Sequence, residues 1–131
     1  MTSSIRLGRT PQVDYLLRVG DTCLILAQRL SEWCGHAPVL EEDIAMANTA
    51  LDLIGQARAM LTRAGELEGL EHDEDHLAFL RDERDYLNLT MVELPRGDFA
   101  FTVLRNAMVA TLLKGLWGRL RESSDAELAA P

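Results

Sequence analysis

Residues His72, Asp73, Glu74, Asp75 and His76 place two imidazoles and three carboxylates within five consecutive positions. Nitrogen and oxygen donors of that kind suit a divalent cation. The same run fits a helix start on a solvated loop, where acids favour the positive end of the helix dipole, so its specificity for metal is low. A two-metal oxidative centre in a helical bundle asks for more: inward-facing glutamates together with a Glu-x-x-His pair on one helix face. No glutamate here has a histidine three residues later. Glu32 is followed at that spacing by Gly35, Glu41 by Ile44, Glu42 by Ala45 and Glu83 by Tyr86. In the middle of the second helical segment an Asp52 and a Gly55 stand where such a pair would be expected, and loss of the imidazole removes the neutral nitrogen donor. The helical segments therefore supply no ligand set, and no catalytic, cofactor-binding or metal residue is predicted. The alternative is an independent metal-binding bundle that uses His72 and His76.

Asn48, Asp52 and Gln56 recur every four residues on a helix otherwise full of Ala, Leu and Ile. They form one polar strip. Two readings stand side by side: an exposed face, or a buried or interface strip whose groups must be paired, because each unsatisfied one costs about 1 to 3 kcal/mol. Cys23 and Cys34 lack CxxC spacing and sit among helical apolar positions, which predicts buried reduced thiols. His36, in a turn after Trp33 and Cys34, reads as a packed turn histidine. There is no GxSxG, phosphate-binding glycine loop or Cys/His nucleophile pairing.

The elements that position these residues follow from punctuation, since prolines and glycine turns fall between periodic segments. Val13, Leu16, Leu17, Cys23, Leu24, Ala27, Leu30 and Cys34 recur at helical spacing, with Asp14, Arg18, Asp21, Gln28 and Glu32 read as the polar remainder. The spacing predicts a helix over 11–34 that stops at Gly35. A second, rich in Ala and Gly, is expected over 40–64 after acidic Glu41, Glu42 and Asp43, forming an antiparallel hairpin with the first. A third is expected over 76–94, with Arg81 to Asp85 as solvated charge. The fourth, over 99–121, is capped by Asp98 and has Phe101, Leu104, Met108, Leu112 and Leu116 on its inner face. No segment alternates like a strand. The fold class expected is all-α, a single domain over 1–131.

Thirteen basic against twenty-one acidic residues leave a net charge of −8. That charge repels phosphate backbones and anionic lipid, so neither nucleic acid nor membrane is an expected partner. The start carries no signal-peptide pattern, and no run reads as approaching the roughly 20 apolar residues of a spanning helix, which together predict a cytoplasmic protein.

Two long stretches carry a resemblance: YLLRVGDTCLILAQRLSEWCGHAPVLEEDIAMANTALDLIGQARAMLTRAG, from Tyr15 to Gly65, and DEDHLAFLRDERDYLNLTMVELPRGDFAFTVLRNAM, from Asp73 to Met108. They resemble the C subunits of bacterial ring-1,2-phenylacetyl-CoA epoxidases. The resemblance implies a ferritin-like bundle of antiparallel helices and a non-catalytic, structural role beside a catalytic A subunit. Any di-iron cofactor would lie in that partner and none in this chain. Family members continue through further helices, so the bundle is expected to be incomplete at its C-terminus. It would leave an apolar groove beside the second and fourth helices, and self-association or a second polypeptide is expected to fill it.

Overall fold

The computed structural model describes residues 10–68, 73–79, 81, 86–95 and 97–122. Its elements, α1 (Pro11–Ser31), α2 (Leu40–Glu68), α3 (Glu74–Phe79), α4 (Thr90–Glu93) and α5 (Phe99–Leu120), are all helical. No strand occurs among the described residues. The chain divides into two compact units, Met1–Pro95 and Arg96–Pro131.

Helix α1 starts where its own residues dictate. Thr10 is extended, its Oγ1 accepts the N–H of Val13 at 3.2 Å, and Pro11 opens the first turn. A hydroxyl cap followed by proline satisfies one orphan donor and spares another. The helix ends at Ser31, three residues earlier than the spacing suggested. Tight bonds from Trp33 N–H to Leu30 O and Cys34 N–H to Ser31 O take over. Gly35, at φ +80°, then reverses the chain. Only a residue without Cβ enters that region cheaply. Its N–H donates to Asp43 Oδ1 at 3.0 Å, which ties the turn to the start of α2.

Helices α1 and α2 form an antiparallel hairpin. Gly20 lies against Met60 and Leu61, Cys23 beside Gln56, and Leu30 shares a groove with Met46 and Ala50. Val13, Leu16, Leu17, Leu26 and Leu30 from α1 and Ala50, Leu53, Ala57, Met60, Leu61 and Ala64 from α2 are buried, and Leu77 and Val92 close the same core. Each large aliphatic side chain withdrawn from water contributes about 1.5 to 3 kcal/mol.

The expected helix over 76–94 does not form as one element. α3 stops at Phe79, residues 86–89 carry no helical turn, and α4 is four residues long. The reason is local competition for donors. Leu87 N–H donates to Asp21 Oδ2 at 2.9 Å and Leu89 N–H to Thr22 Oγ1 at 3.2 Å, so these amides are used by α1 side chains and not by carbonyls one turn back.

Helix α5 begins as predicted, with Asp98 Oδ1 accepting the N–H of Phe101 at 2.7 Å. Its covered face differs from the expected one. Thr102, Arg105, Val109 and Leu113 are buried, whereas Phe101, Leu104, Met108 and Leu112 are exposed and Leu116 is half-buried. A helix apolar around most of its circumference gives periodicity no single face to select. By length and composition α5 is also apolar enough to cross a membrane, which corrects the expectation that no run comes near that.

Candidate functional site

Asp21 lies four residues after Leu17, so the helix turns it toward the same core. Its side chain and that of Arg81 are both completely buried. Arg81 Nη1 donates to Asp21 Oδ2 at 3.0 Å and Nη2 to Oδ1, a bidentate pair between residues sixty positions apart. Leu87 N–H adds a third donor to the carboxylate, and Arg81 Nε donates to Leu77 O at 2.7 Å. The guanidinium carbon stands 4.2 Å from the centre of the Tyr86 ring, whose hydroxyl donates to Ala78 O. Burial raises the Tyr86 phenol above its ordinary value; the Asp21 charge pushes the same way and the Arg81 charge opposes it. Beside the pair, Thr22 Oγ1 donates to Arg18 O at 2.7 Å while accepting from Leu89.

This arrangement is a clamp. The carboxylate lone pairs are taken up by guanidinium and amide donors, and the segment after α3 is strapped across the middle of α1. A pair of this kind is about neutral against an apolar replacement of both groups, but loss of one partner costs about 3 to 5 kcal/mol. Sequence reasoning placed Asp21 on the polar remainder of α1 and Arg81 on a solvated face; both are corrected here. The signal was present in the register, because Leu17, Asp21 and Leu24 share one side of the helix.

The sequence-predicted polar strip is not a buried ladder within this chain. Asn48 and Asp52 are exposed, and only Gln56 is half-buried, with its Oε1 accepting from Cys23 Sγ at 3.8 Å. Cys23 is buried and its thiol pushed up to about 12 by desolvation. Cys34, expected to be buried, is exposed, as is His36. His72 and the side chain of Asp75 lie outside the described residues. His76 and Asp73 serve each other: Asp73 N–H donates to His76 Nδ1 at 3.1 Å and His76 N–H to Asp73 Oδ1 at 2.9 Å. Glu74 turns away to Arg58, which holds its carboxyl below the ordinary value, with Thr62 assisting.

Among the described residues no three His, Cys, Asp or Glu side chains gather where one metal ion could be held. A di-iron centre therefore has no fitting donor set there, and the buried carboxylate at the middle of α1 is matched by a guanidinium.

Two of the cavities in the first unit are lined by described residues. One, of about 550 Å³, is lined by Ile25, Gln28, Arg29, Glu32, Tyr86, Asn88 and Glu93. Its polar groups engage one another: Arg29 reaches Glu32 Oε1 and Glu93 O, both at 2.7 Å, and Asn88 reaches Glu93 Oε1 at 3.0 Å. The other is an apolar groove of about 250 Å³ between the end of α1 and the first half of α2.

Residues 2–130 match the family described as phenylacetic acid catabolic protein. The chain belongs to that family. Over 116 residues it is 57% identical to the C subunit of 1,2-phenylacetyl-CoA epoxidase from Escherichia coli (strain K12), a match that covers 88% of this chain and 46% of the relative. The chain thus spans about half the length of that relative. Family membership agrees with the resemblance read from Tyr15 to Gly65 and from Asp73 to Met108, and with an all-α, ferritin-like fold class.

Proposed function

We propose that this chain is the non-catalytic, structural subunit of a multicomponent ring-1,2-phenylacetyl-CoA epoxidase, or the corresponding part of one, acting in aerobic phenylacetate catabolism in the cytoplasm. Its role is to support a catalytic A subunit that carries the di-iron centre. The observation that carries this reading is the 57% identity to an epoxidase C subunit. Two features support the structural half of it. The central carboxylate Asp21 is committed to Arg81 and Leu87, and the apolar residues of α2 face both inward and outward, as packing surfaces do.

The chain contributes shape and a fixed hairpin; proton and electron traffic fall to other subunits. Co-expression with the catalytic A subunit tests this. The two are expected to co-purify, and phenylacetyl-CoA turnover with the reductase supplied should fall at least tenfold when the chain is omitted. Equal turnover without the chain, or no association, would contradict the reading.

A further inference from the structure

Residues 87–93 lie along α1 with little of their surface withdrawn from water. Of these seven only Val92 is buried; Leu87, Asn88 and Met91 are half-buried and Leu89, Thr90 and Glu93 are exposed. Helix α1 beneath them buries eleven of its twenty-one residues. What fastens the segment is a row of polar bonds from α1. Asp21 Oδ2 accepts the N–H of Leu87 at 2.9 Å, Thr22 Oγ1 accepts that of Leu89 at 3.2 Å, and Arg29 Nη2 donates to Glu93 O at 2.7 Å. Thr22 and Arg29 stand seven residues apart, about 10 Å along the helix. The cavity of about 550 Å³ opens beside them, with Ile25, Gln28 and Glu32 on the helix side and Asn88 and Glu93 on the other.

The segment also carries bonds of its own. Val92 N–H donates to Leu89 O at 3.2 Å, and Asn88 Nδ2 donates to Glu93 Oε1 at 3.0 Å. These survive if the fastenings to α1 are lost. The buried carboxylate does not hold the segment down either. Asp21 keeps both terminal nitrogens of Arg81, and Arg81 is anchored separately to Leu77 O, so the charge stays paired when the Leu87 amide departs. The core of the hairpin, with Leu16, Leu17 and Leu26 of α1 and Leu53, Ala57 and Leu61 of α2, is built without these residues except for Val92.

We propose that residues 87–93 form a latch that opens as one cooperative unit while the α1–α2 hairpin and the Asp21–Arg81 pair stay folded. Bonded within itself and fastened at three points, the latch leaves as one body, because the loss of one fastening removes the geometry that the others need. Opening frees Arg29 from Glu93 and widens the cavity. This face of the first unit thus changes shape without unfolding of the hairpin.

Amide hydrogen exchange on the full chain, followed residue by residue by NMR over a series of urea concentrations, tests the proposal. The Leu87 and Leu89 amides are expected to show equal protection, about a hundredfold below that of Leu26 and Ala57, and almost no urea dependence, since local opening exposes little surface. Arg29→Met removes a bond to neither amide, yet should speed exchange at both by about tenfold while Leu26 and Ala57 stay within about threefold. Thr22→Val should do the same. Protection of Leu87 and Leu89 equal to that of Leu26, with the same urea slope, would mean that the segment opens only when the chain unfolds, and would overturn the proposal. So would exchange at Leu89 that Arg29→Met leaves unchanged, or a Thr22→Val effect confined to Leu89, because the residues would then fray one by one. The urea series on the unaltered chain decides the first point whether or not either variant folds.

Discussion

Helices α1 and α5 are almost equal in length, 21 and 22 residues, yet α1 buries eleven of its residues and α5 only four. Composition would have reversed that order, since α5 is the one apolar enough to pass for a membrane span. What separates them is cover. α1 is enclosed by α2 along its length and crossed by the strap that Asp21 and Thr22 hold, and even its buried carboxylate has partners. α5 keeps Phe101, Val103, Leu104, Met108 and Leu112 in contact with water. Apolar periodicity states how much surface a helix needs covered; it does not name the polypeptide that covers it.

The contrast can be broken by mutation. The largest effect is expected from Arg81→Met, which leaves Asp21 charged and buried and should cost about 3 to 5 kcal/mol in urea unfolding. Asp21→Leu combined with Arg81→Met should recover most of that loss, because both charges go together. Next, Leu26→Ala in α1 should cost about 2 to 5 kcal/mol. Leu104→Ala in α5 should stay within about 0.5 kcal/mol. Equal losses at the two positions would erase the difference between the helices.

Smaller effects sharpen the packing detail. A Cβ at Gly20 would meet Met60 Cβ at 3.1 Å and the Leu61 side chain at 3.2 Å, whereas one at Gly55 meets nothing within 4 Å. Gly20→Ala should therefore destabilise by about 1 to 3 kcal/mol, read as a lower urea midpoint. Gly55→Ala should stabilise by about 0.5 to 1 kcal/mol, because only the helix preference changes.

The cysteines give the mildest probe. Cys34 should react with a thiol reagent in the folded chain, and Cys23 only after denaturant is added. Burial lifts the Cys23 thiol from 9.0 to about 12, so the folded state holds its proton longer than the unfolded one. Stability from this group is intact below pH 9 and falls as pH rises from there toward 12; a Cys23→Ala variant should show a smaller fall in that window, with the remainder coming from the raised Tyr15 and Tyr86 phenols.

Much of the fold was legible because it depends on local chemistry. Asp98 caps its helix, Gly35 turns the chain, and alternating three- and four-residue spacing marks the α1 face. The third helix was misread because its fate depends on Asp21 and Thr22, more than sixty residues earlier, which claim the amides of Leu87 and Leu89. The α5 face was misread because its apolar residues surround the helix. At the candidate site the absence of a Glu-x-x-His pair was plain in the sequence, but the Asp21–Arg81 clamp was not. Residue type sent both groups to the surface, and only register, checked position by position, sends Asp21 inward.

The central claim is that this chain shapes an oxygenase without holding its metal, and iron analysis tests it most directly. Untagged chain, untagged catalytic A subunit and their complex, each grown with iron supplied, would be assayed for iron per polypeptide. Iron is expected to follow the catalytic partner, with the same amount in the complex as in that partner alone and none above background in the chain. Stoichiometric iron in the isolated chain, lost on substitution of its own carboxylates or histidines, would contradict it.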